Sequence, residues 1–493
     1  MASLEEIREA RLKKLETLKK LGKDPYPAKS ERNIEIAKLI ENFAGLEKGK
    51  NSVTIAGRVM ALRAQGALIF VDIFDGTRST DSEQTGKFQA LLKKGEAIAD
   101  EDFDLFAETV DIGDFVEVSG TLFVTKREEK TIQVANWKIL TKSLLPLPEK
   151  WHGLQDIEER YRLRYLDLLM NPELRELIVK KSKFWDVTRS FFKERGFLEV
   201  ETPTLEVTTG GAEARPFKTH HNDFDLDMCL RISVGELWQK RLMAAGFPKT
   251  FEIGRVYRNE GTSPEHLQEF TNMEFYWGYA DFKDGMNLVK ELYKNIAIEL
   301  FGKTKFEYNG HAFDLADDWK EIDYANEIKK QTKIDINIAT EEEIKTKLQE
   351  LKVTYKGDNK ERLIDTLWKY CRKNITGPAF LINHPVIVAP LAKKVSDKEY
   401  VQMFQPIIAG SEVGRGYSEL NDPVDQKERF DVQGKLMEAG DEEAMMPDLE
   451  FVEMLEHGMP PTCGFGFGER LFAVLAGKPL RELQTFPLMR PRG

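Results

Sequence analysis

"VYRNEGTSPEHLQEFTNMEFYW", residues 256–277, sets arginine, glutamate and histidine beside a run of aromatic residues, and its two halves read as the strands of one hairpin. Side chains alternate faces along a strand, so in "FTNMEFYW" Phe270, Asn272, Glu274 and Tyr276 share one face and Thr271, Met273, Phe275 and Trp277 the other. Met273, Phe275 and Trp277 suffice for a core face. That leaves a ring, an amide, a carboxylate and a phenol pointing together elsewhere. By the same rule Arg258 and Glu260 point the same way at the end of "FEIGRVYRNE" (251–260). The hairpin therefore presents arginine, phenylalanine and two glutamates to a common cleft, or carries them as ion pairs on an exposed sheet face.

Outward from this hairpin, a chain of 493 residues is too long for one ordinary core, and two or three domains are expected. With 41% hydrophobic and 31% charged residues it has the composition of a soluble globular protein, and no apolar run approaches membrane-spanning length. The first residues, "MASLEEIREARLKKLETLKKLGK", lack the apolar stretch of a secretory leader, so a cytoplasmic protein is expected. Cys229, Cys371 and Cys463 lie far apart, without the spacing of a zinc site or a disulfide framework. A net charge of −11 excludes bulk electrostatic coating of nucleic acid, so any such contact must be regional.

Residues 3 to about 21 repeat Leu4, Ile7, Leu12, Leu15 and Leu18 at helical spacing, and "KDPYP" (23–27) stops the helix. It reads as a packed amphipathic helix or as a basic surface for phosphates. From about 52 to 140 the pattern changes to five short alternating runs: "VTIAGRVMAL", "ALIFVDIFDG", "GKFQALLKKG", "DFVEVSGTLFVT" and "KTIQVANWKIL". Five short strands with glycine turns suit a small barrel of the oligonucleotide-binding (OB) type. The proline-rich "KSLLPLPEKWHG" (142–153) then marks a boundary. The expected organisation is a helical extension (1–50), an OB-fold barrel (51–145), a linker (146–170) and an α+β domain (171–493) with a charged helical insertion at about 285–375.

Beyond the alternation, "VYRNEG…EFTNMEFY" resembles the second signature motif of the class II aminoacyl-tRNA synthetases, in its lysyl branch. "GFLEVETPTL" (196–205) resembles the first motif, associated with the dimer interface, and "GFGFGERLFAVL" (464–475) the third. "GGAEARPFKTHHNDFDLDMCLRI", "GSEVGRGYSELNDPVDQ", "LEHGMPPT" and "FPLMRP" follow in family order, so the resemblance runs from about residue 50 onward. It implies a six- or seven-stranded antiparallel catalytic sheet flanked by helices, an anticodon-binding barrel before it, and a homodimer. The implied reaction is attack of the L-lysine carboxylate on the α-phosphate of ATP, then transfer of the lysyl group to tRNA(Lys). Such chemistry depends on positioning and charge neutralisation more than on a covalent nucleophile.

The resemblance carries roles residue by residue. Arg258 matches the contact to the α-phosphate and the amino-acid carboxylate, Glu260 the one to the adenine amine, His266 the one to the γ-phosphate, and Phe270 the platform for adenine, with Arg470 closing the other face of the adenine or reaching the γ-phosphate. Glu274, Glu419 and Tyr276 match the pocket for the lysine side chain, and Gly211 and Glu236 the grip on its α-ammonium. A buried ammonium needs carboxylates, whereas an aspartate substrate would need arginine. Glu412 matches a Mg²⁺ ligand, with Glu419 and Gln405 beside it, Gln405 standing where the family supplies a second acid. In the barrel, Phe70 and Gln89 fall where the family stacks and reads anticodon bases, with Arg63 as their neighbour in the same anticodon-binding set.

Four departures stand out. Arg415 replaces an asparagine between Gly414 and Gly416, "SVGEL" is one residue longer than usual, "GFGFGER" is one shorter, and "STDSEQTG" (79–86) makes a longer loop. Other readings are aspartate or asparagine charging, lysylation of a protein, and a non-catalytic RNA-binding paralogue. Glu274 and Glu419 oppose the first, the barrel opposes the second, and Arg258, Glu412 and Arg470 oppose the third.

Overall fold

Ser3 and Glu6 close a capping box at the start of α1 (Leu4–Lys20), which satisfies two of the backbone N–H groups a helix start leaves open. Leu15 and Leu18 are buried, and the Arg11 guanidinium reaches the carbonyls of Ile112, Ser143 and Leu145 at 2.9, 3.2 and 3.1 Å. The packed-helix reading of this segment therefore holds. The computed structural model describes residues 3–78, 85–148, 156–211, 214–261, 266–355, 359–438 and 444–492. The chain divides into two compact units, Met1–Asp156 and Ile157–Gly493.

In the first unit α2 (Ile36–Glu41) and α3 (Phe43–Gly49) follow α1, and Leu18, Ile36, Leu39 and Phe43 join the core of the barrel. The first fifty residues are thus part of the barrel unit and not an appendage. Strands β1 (Val53–Gln65), β2 (Leu68–Arg78) and β3 (Thr85–Lys93), helix α4 (Asp100–Thr109), and strands β4 (Phe115–Val124) and β5 (Lys130–Thr141) complete it. The barrel closes in the order β1-β2-β3-β5-β4, with β3 and β5 parallel. Ile69, Val71 and Ile73 fill its interior from alternate positions of β2. The "STDSEQTG" loop lies, but for its last two residues, outside the described residues.

The second unit starts inside the stretch expected to be a linker. Residues 157–170 form α5 (Ile157–Arg162) and α6 (Arg164–Met170), and buried Arg164 pairs with Asp167 at 2.7 Å and donates to the Gln484 carbonyl at 3.1 Å. A buried guanidinium paired at both ends ties these helices to the chain's last residues. Next come α7 (Pro172–Glu194), β6 (Leu198–Glu199), β7 (Leu205–Glu206), β8 (Lys218–His221), β9 (Leu226–Leu230) and α8 (Glu236–Ala244). The hairpin that opened the sequence reading is β10 (Lys249–Tyr257) with β11 (Glu269–Gly278).

Helix α9 (Phe282–Phe301) is followed by β12 (Lys305–Tyr308), β13 (His311–Asp314), β14 (Lys320–Asp323), α10 (Tyr324–Thr332), α11 (Glu341–Glu350) and α12 (Lys360–Cys371). The remaining elements are β15 (Ala379–Ile382), β16 (Met403–Ile408), β17 (Ser411–Glu412), β18 (Arg415–Ser418), α13 (Pro423–Glu438), α14 (Leu449–His457), β19 (Thr462–Gly468) and α15 (Arg470–Ala476). One nine-stranded sheet runs β14-β15-β16-β18-β19-β11-β10-β6, with β17 beside β16. Its pairings are antiparallel except at the two edges, where β14 with β15 and β6 with β10 are parallel. The excess over the expected six or seven strands comes from short edge pieces.

One face of this sheet is covered by α7 and α9. Phe184, Phe192, Leu292 and Tyr293 pack there against Met273, Phe275, Phe465 and Phe467, each at most 2% exposed. Each such side chain contributes roughly 1.5–3 kcal/mol of transfer free energy. Helix α9 therefore belongs to the main core, although the insertion was read to begin at 285. A separate small core of Ile328, Ile344, Leu348, Leu363, Leu367 and Trp368 gathers α10 to α12.

Candidate active site

The other face of the sheet carries the chemistry, and register decides which residues meet there. Glu274 lies opposite Glu252 on β10 and opposite Gly466 on β19, and Tyr276 lies opposite Gly464. Arg415 and Tyr417 of β18 face the same two glycines from the far side. Because β19 alternates glycine with phenylalanine, its Phe465 and Phe467 fill the core while Gly464, Gly466 and Gly468 present only hydrogen to the cleft. A Cβ at Gly466 would sit 2.8 Å from Glu274 Cγ, and one at Gly468 3.2 Å from the Phe270 ring. The result is a cleft of about 480 Å³ floored by backbone and walled by β11 and β18.

All twelve residues expected in the catalytic domain line it: Gly211, Glu236, Arg258, Glu260, His266, Phe270, Glu274, Tyr276, Gln405, Glu412, Glu419 and Arg470. At one end, Glu274 accepts hydrogen bonds from the Val234 backbone N–H (2.8 Å), Asn272 Nδ2 (3.1 Å) and the Tyr276 hydroxyl (3.2 Å). These donors are neutral, and among the described residues Glu274 has no ion pair. Burial and the neighbouring Glu236 push its carboxyl up to about 7 in spite of those donors. The Tyr417 hydroxyl donates to Glu236. Burial raises both Tyr276 and Tyr417 well above the usual phenol range, so each stays a neutral donor.

Within "SVGEL", Gly235 has a left-handed backbone (φ 64°) that turns the chain into α8 and leaves Glu236 in the first turn of the helix, lining the cleft. Gly211 (φ 86°) closes over that carboxylate, where a Cβ would meet Glu236 Oε2 at 2.5 Å. Lys240, one helical turn beyond Glu236, was not singled out from sequence. Its ammonium lies 2.8 Å from Glu236 Oε1 and 2.5 Å from Glu419 Oε2, the second an ion contact more than an aligned hydrogen bond. Burial alone would lower its pKa, and the two carboxylates more than reverse that. The i, i+4 spacing of "ELWQK" was the available signal.

The opposite end is richer in cations. Arg258 donates from Nε to the Ile232 carbonyl at 3.3 Å, and its guanidinium lies 5.3 Å from the centroid of the half-buried Phe270 ring. Burial pulls Arg258 below the usual guanidinium range, and Arg415 and Arg470 nearby pull it further, against Glu260 and Glu274. Arg470, within the third motif, opens α15 and donates to the Glu412 carbonyl at 3.4 Å. His266 is exposed at the mouth of the cleft. Burial pushes the Glu412 carboxyl up, but Arg372 at 3.6 Å and the Trp368 indole N–H at 2.8 Å outweigh it and hold it below the usual range.

Trp368 belongs to α12, and Arg362, Asp365 and Lys369 of the same helix also line the cleft. Sequence reading left them in an insertion packed beside the core. Gln405 Oε1 lies 3.0 Å from His384 Nε2; burial lowers the imidazole pKa to about 4, so the ring is neutral and Nε2–H is the donor that fits.

In the barrel unit, Arg63 and Phe70 are cross-strand partners on β1 and β2, and Gln89 on β3 sits one pair further along the outer face. Phe70 is half-buried and stands outside the barrel core, which leaves its ring on the surface side of β2. Asp72 joins Arg63 at 3.7 Å and Lys87 at 2.8 Å, and Gln89 Oε1 accepts from Thr131 Oγ1 at 3.0 Å.

Comparison with known proteins agrees with both units. Residues 156–490 match the family described as tRNA synthetases class II (D, K and N), and residues 53–140 match the OB-fold nucleic acid binding domain. The chain belongs to the class II tRNA synthetases. A lysine–tRNA ligase of Roseiflexus sp. is 44% identical over 99% of both chains. Those of Thermotoga maritima and Pelotomaculum thermopropionicum are 42% and 41% identical over 99% of this chain and 97% and 96% of their own. Within the class, its place is in the lysine–tRNA ligase family.

Proposed function

We propose that this cleft activates L-lysine with ATP to lysyl-adenylate, releasing pyrophosphate, and passes the lysyl group to the 3′ end of tRNA(Lys). The observation that carries the substrate choice is Glu274, a buried carboxylate with three neutral donors and no ion pair among the described residues. Such a group is costly to leave charged, and an ε-ammonium is the partner that relieves it. Glu419 and Tyr276 complete the side-chain pocket. Glu236 and Gly211 hold the α-ammonium.

Arg258, close to both Glu274 and Phe270, is placed to hold the substrate carboxylate against the α-phosphate of ATP. The carboxylate oxygen forms a bond to the α-phosphorus while the bond to the bridging β-oxygen breaks, and pyrophosphate leaves with that electron pair. Arg258 and Arg470 neutralise charge that grows on the phosphates; this kind of preorganised donor dominates such reactions. Phe270 supports the adenine, with Glu260 at its amine and His266 toward the γ-phosphate. In the second step a terminal ribose hydroxyl of tRNA attacks the adenylate carbonyl and AMP departs.

Of the expected Mg²⁺ ligands, Glu412 fits: its carboxylate is held ionised and lines the phosphate end. Gln405 is engaged by His384 and Glu419 by Lys240, so one protein carboxylate would share the ion with the phosphates. The ion would supply charge neutralisation on the β- and γ-phosphates. Arg63, Phe70 and Gln89 form the proposed surface for anticodon bases. Homodimer assembly through "GFLEVETPTL" belongs to the same reading, supported by exposed Leu198, Leu205 and Val207. So does a cytoplasmic location, and no described helix is long and apolar enough to cross a membrane.

Pyrophosphate exchange with ATP, Mg²⁺ and each of lysine, aspartate and asparagine tests the proposal. Lysine alone should support exchange. Exchange with none of the three, or with aspartate in preference, would remove it.

A further inference from the structure

We propose that Lys240 is a positioning residue for amino-acid binding: a resident cation that fixes the carboxylates of Glu236 and Glu419 and sets how many ammonium groups the cleft accepts. This inference rests on the lysine-activating reading above and goes one step beyond it. Three carboxylates, Glu236, Glu274 and Glu419, line one end of the cleft, and each is no more than 6% exposed. Lys240 is 1% exposed, bridges two of them, and has the rings of Tyr417, Phe451 and Tyr276 at 5.6, 5.7 and 6.0 Å. It reaches neither solvent nor the third carboxylate's hydrogen bonds.

Charge then balances in a specific way. With substrate bound and all three ionised, three carboxylates less one fixed ammonium leave two negative charges, and lysine brings two ammonium groups, its carboxylate going to Arg258. Without Lys240 the same two ammonium groups would face three buried carboxylates, one of them uncompensated. The ion contact also determines which oxygens remain for substrate: Glu419 Oε2 and Glu236 Oε1 are turned toward Lys240, leaving Glu419 Oε1 and Glu236 Oε2 beside Gly464 and Gly211 on the cleft side. Lys240 thus acts on substrate through its two partners.

The test is steady-state pyrophosphate exchange by the full-length K240M and K240Q enzymes, alone and combined with E419Q. The expected result is a rise in KM for lysine of roughly 50-fold or more, with KM for ATP within about threefold. E419Q added to K240M should cost far less than it costs wild type, because the two residues act as a pair. An unchanged KM for lysine, or equal rises for lysine and ATP, would overturn the inference and leave Lys240 a structural residue. If the single variants do not fold, K240M/E419Q removes both buried charges, and is compared with E419Q alone. A KM for lysine no higher than that of E419Q supports the pairing, and an added loss, for lysine alone or for both substrates, overturns it. A wild-type enzyme without lysine-dependent exchange sinks the functional reading as well; an active wild type with indifferent variants sinks only the role of Lys240.

Discussion

The two ends of the cleft are built on different principles. At the proposed amino-acid end the carboxylates are buried and held by designated partners: neutral donors on Glu274, and Lys240 with Tyr417 on Glu236. At the proposed nucleotide end Phe270 is half-buried, His266 is exposed, and Arg258, Arg415 and Arg470 gather with Glu260 and Glu412 among them. A small amino acid must be distinguished by one charged group, which demands a dry, prearranged pocket. ATP brings its own charge and bulk, so its end of the site needs cations, a flat ring and access.

The largest break in this comparison should come at Arg258, to which the proposed function gives a role at both ends. R258Q should lower kcat/KM in pyrophosphate exchange by ~10³-fold, and a loss below tenfold would show that neither end depends on it. Next is Glu274. E274Q should raise KM for lysine by ~100-fold and leave KM for ATP within a few-fold; equal losses for both substrates would make Glu274 a structural residue.

The acidity of Glu274 sharpens the same contrast. With its carboxyl near 7 in the empty cleft, it is neutral below that pH and offers the ε-ammonium no charge. KM for lysine should therefore fall as pH rises from about 6 to 8, approaching tenfold per unit on the acid side. The slope should vanish in E274Q, and a wild-type profile as flat as the variant's would contradict the assignment. The smallest effect belongs to the open end: F270A should raise KM for ATP about tenfold, toward the lower end of what one base–aromatic stack is worth. If KM for lysine rose as much, the two ends would not be separable.

How much of this was legible beforehand follows the physics of each contact. The β10–β11 hairpin was readable because alternation is a local property: Phe270, Asn272, Glu274 and Tyr276 do share the cleft face, and Met273 and Phe275 are in the core. The five barrel strands were readable for the same reason. Lys240 was within reach of a helical-spacing argument from Glu236, and Tyr417 of an alternation argument from Glu419. The Trp368 and Arg372 contacts to Glu412 were not, because they join residues 44 and 40 apart, from the end of the insertion to β17, and only the tertiary fold sets that meeting. The helices α5 and α6 were misread as linker because their stability comes from distant partners such as Gln484, not from a strong apolar stripe.

Strand β19 has a consequence for how this site can vary. Along Gly464-Phe465-Gly466-Phe467-Gly468 a methyl group would clash at Gly464 and Gly466 and fit only tightly at Gly468, and every position between is a ring in the core. The space the substrate occupies is thus drawn by what these three residues lack. Any single replacement at a glycine adds volume on the substrate side, and any truncation of a phenylalanine opens a hole on the other. Five consecutive residues are constrained from opposite directions, so inherited change in the amino-acid pocket has its easiest routes through the walls, β11 and β18, and its hardest through the floor.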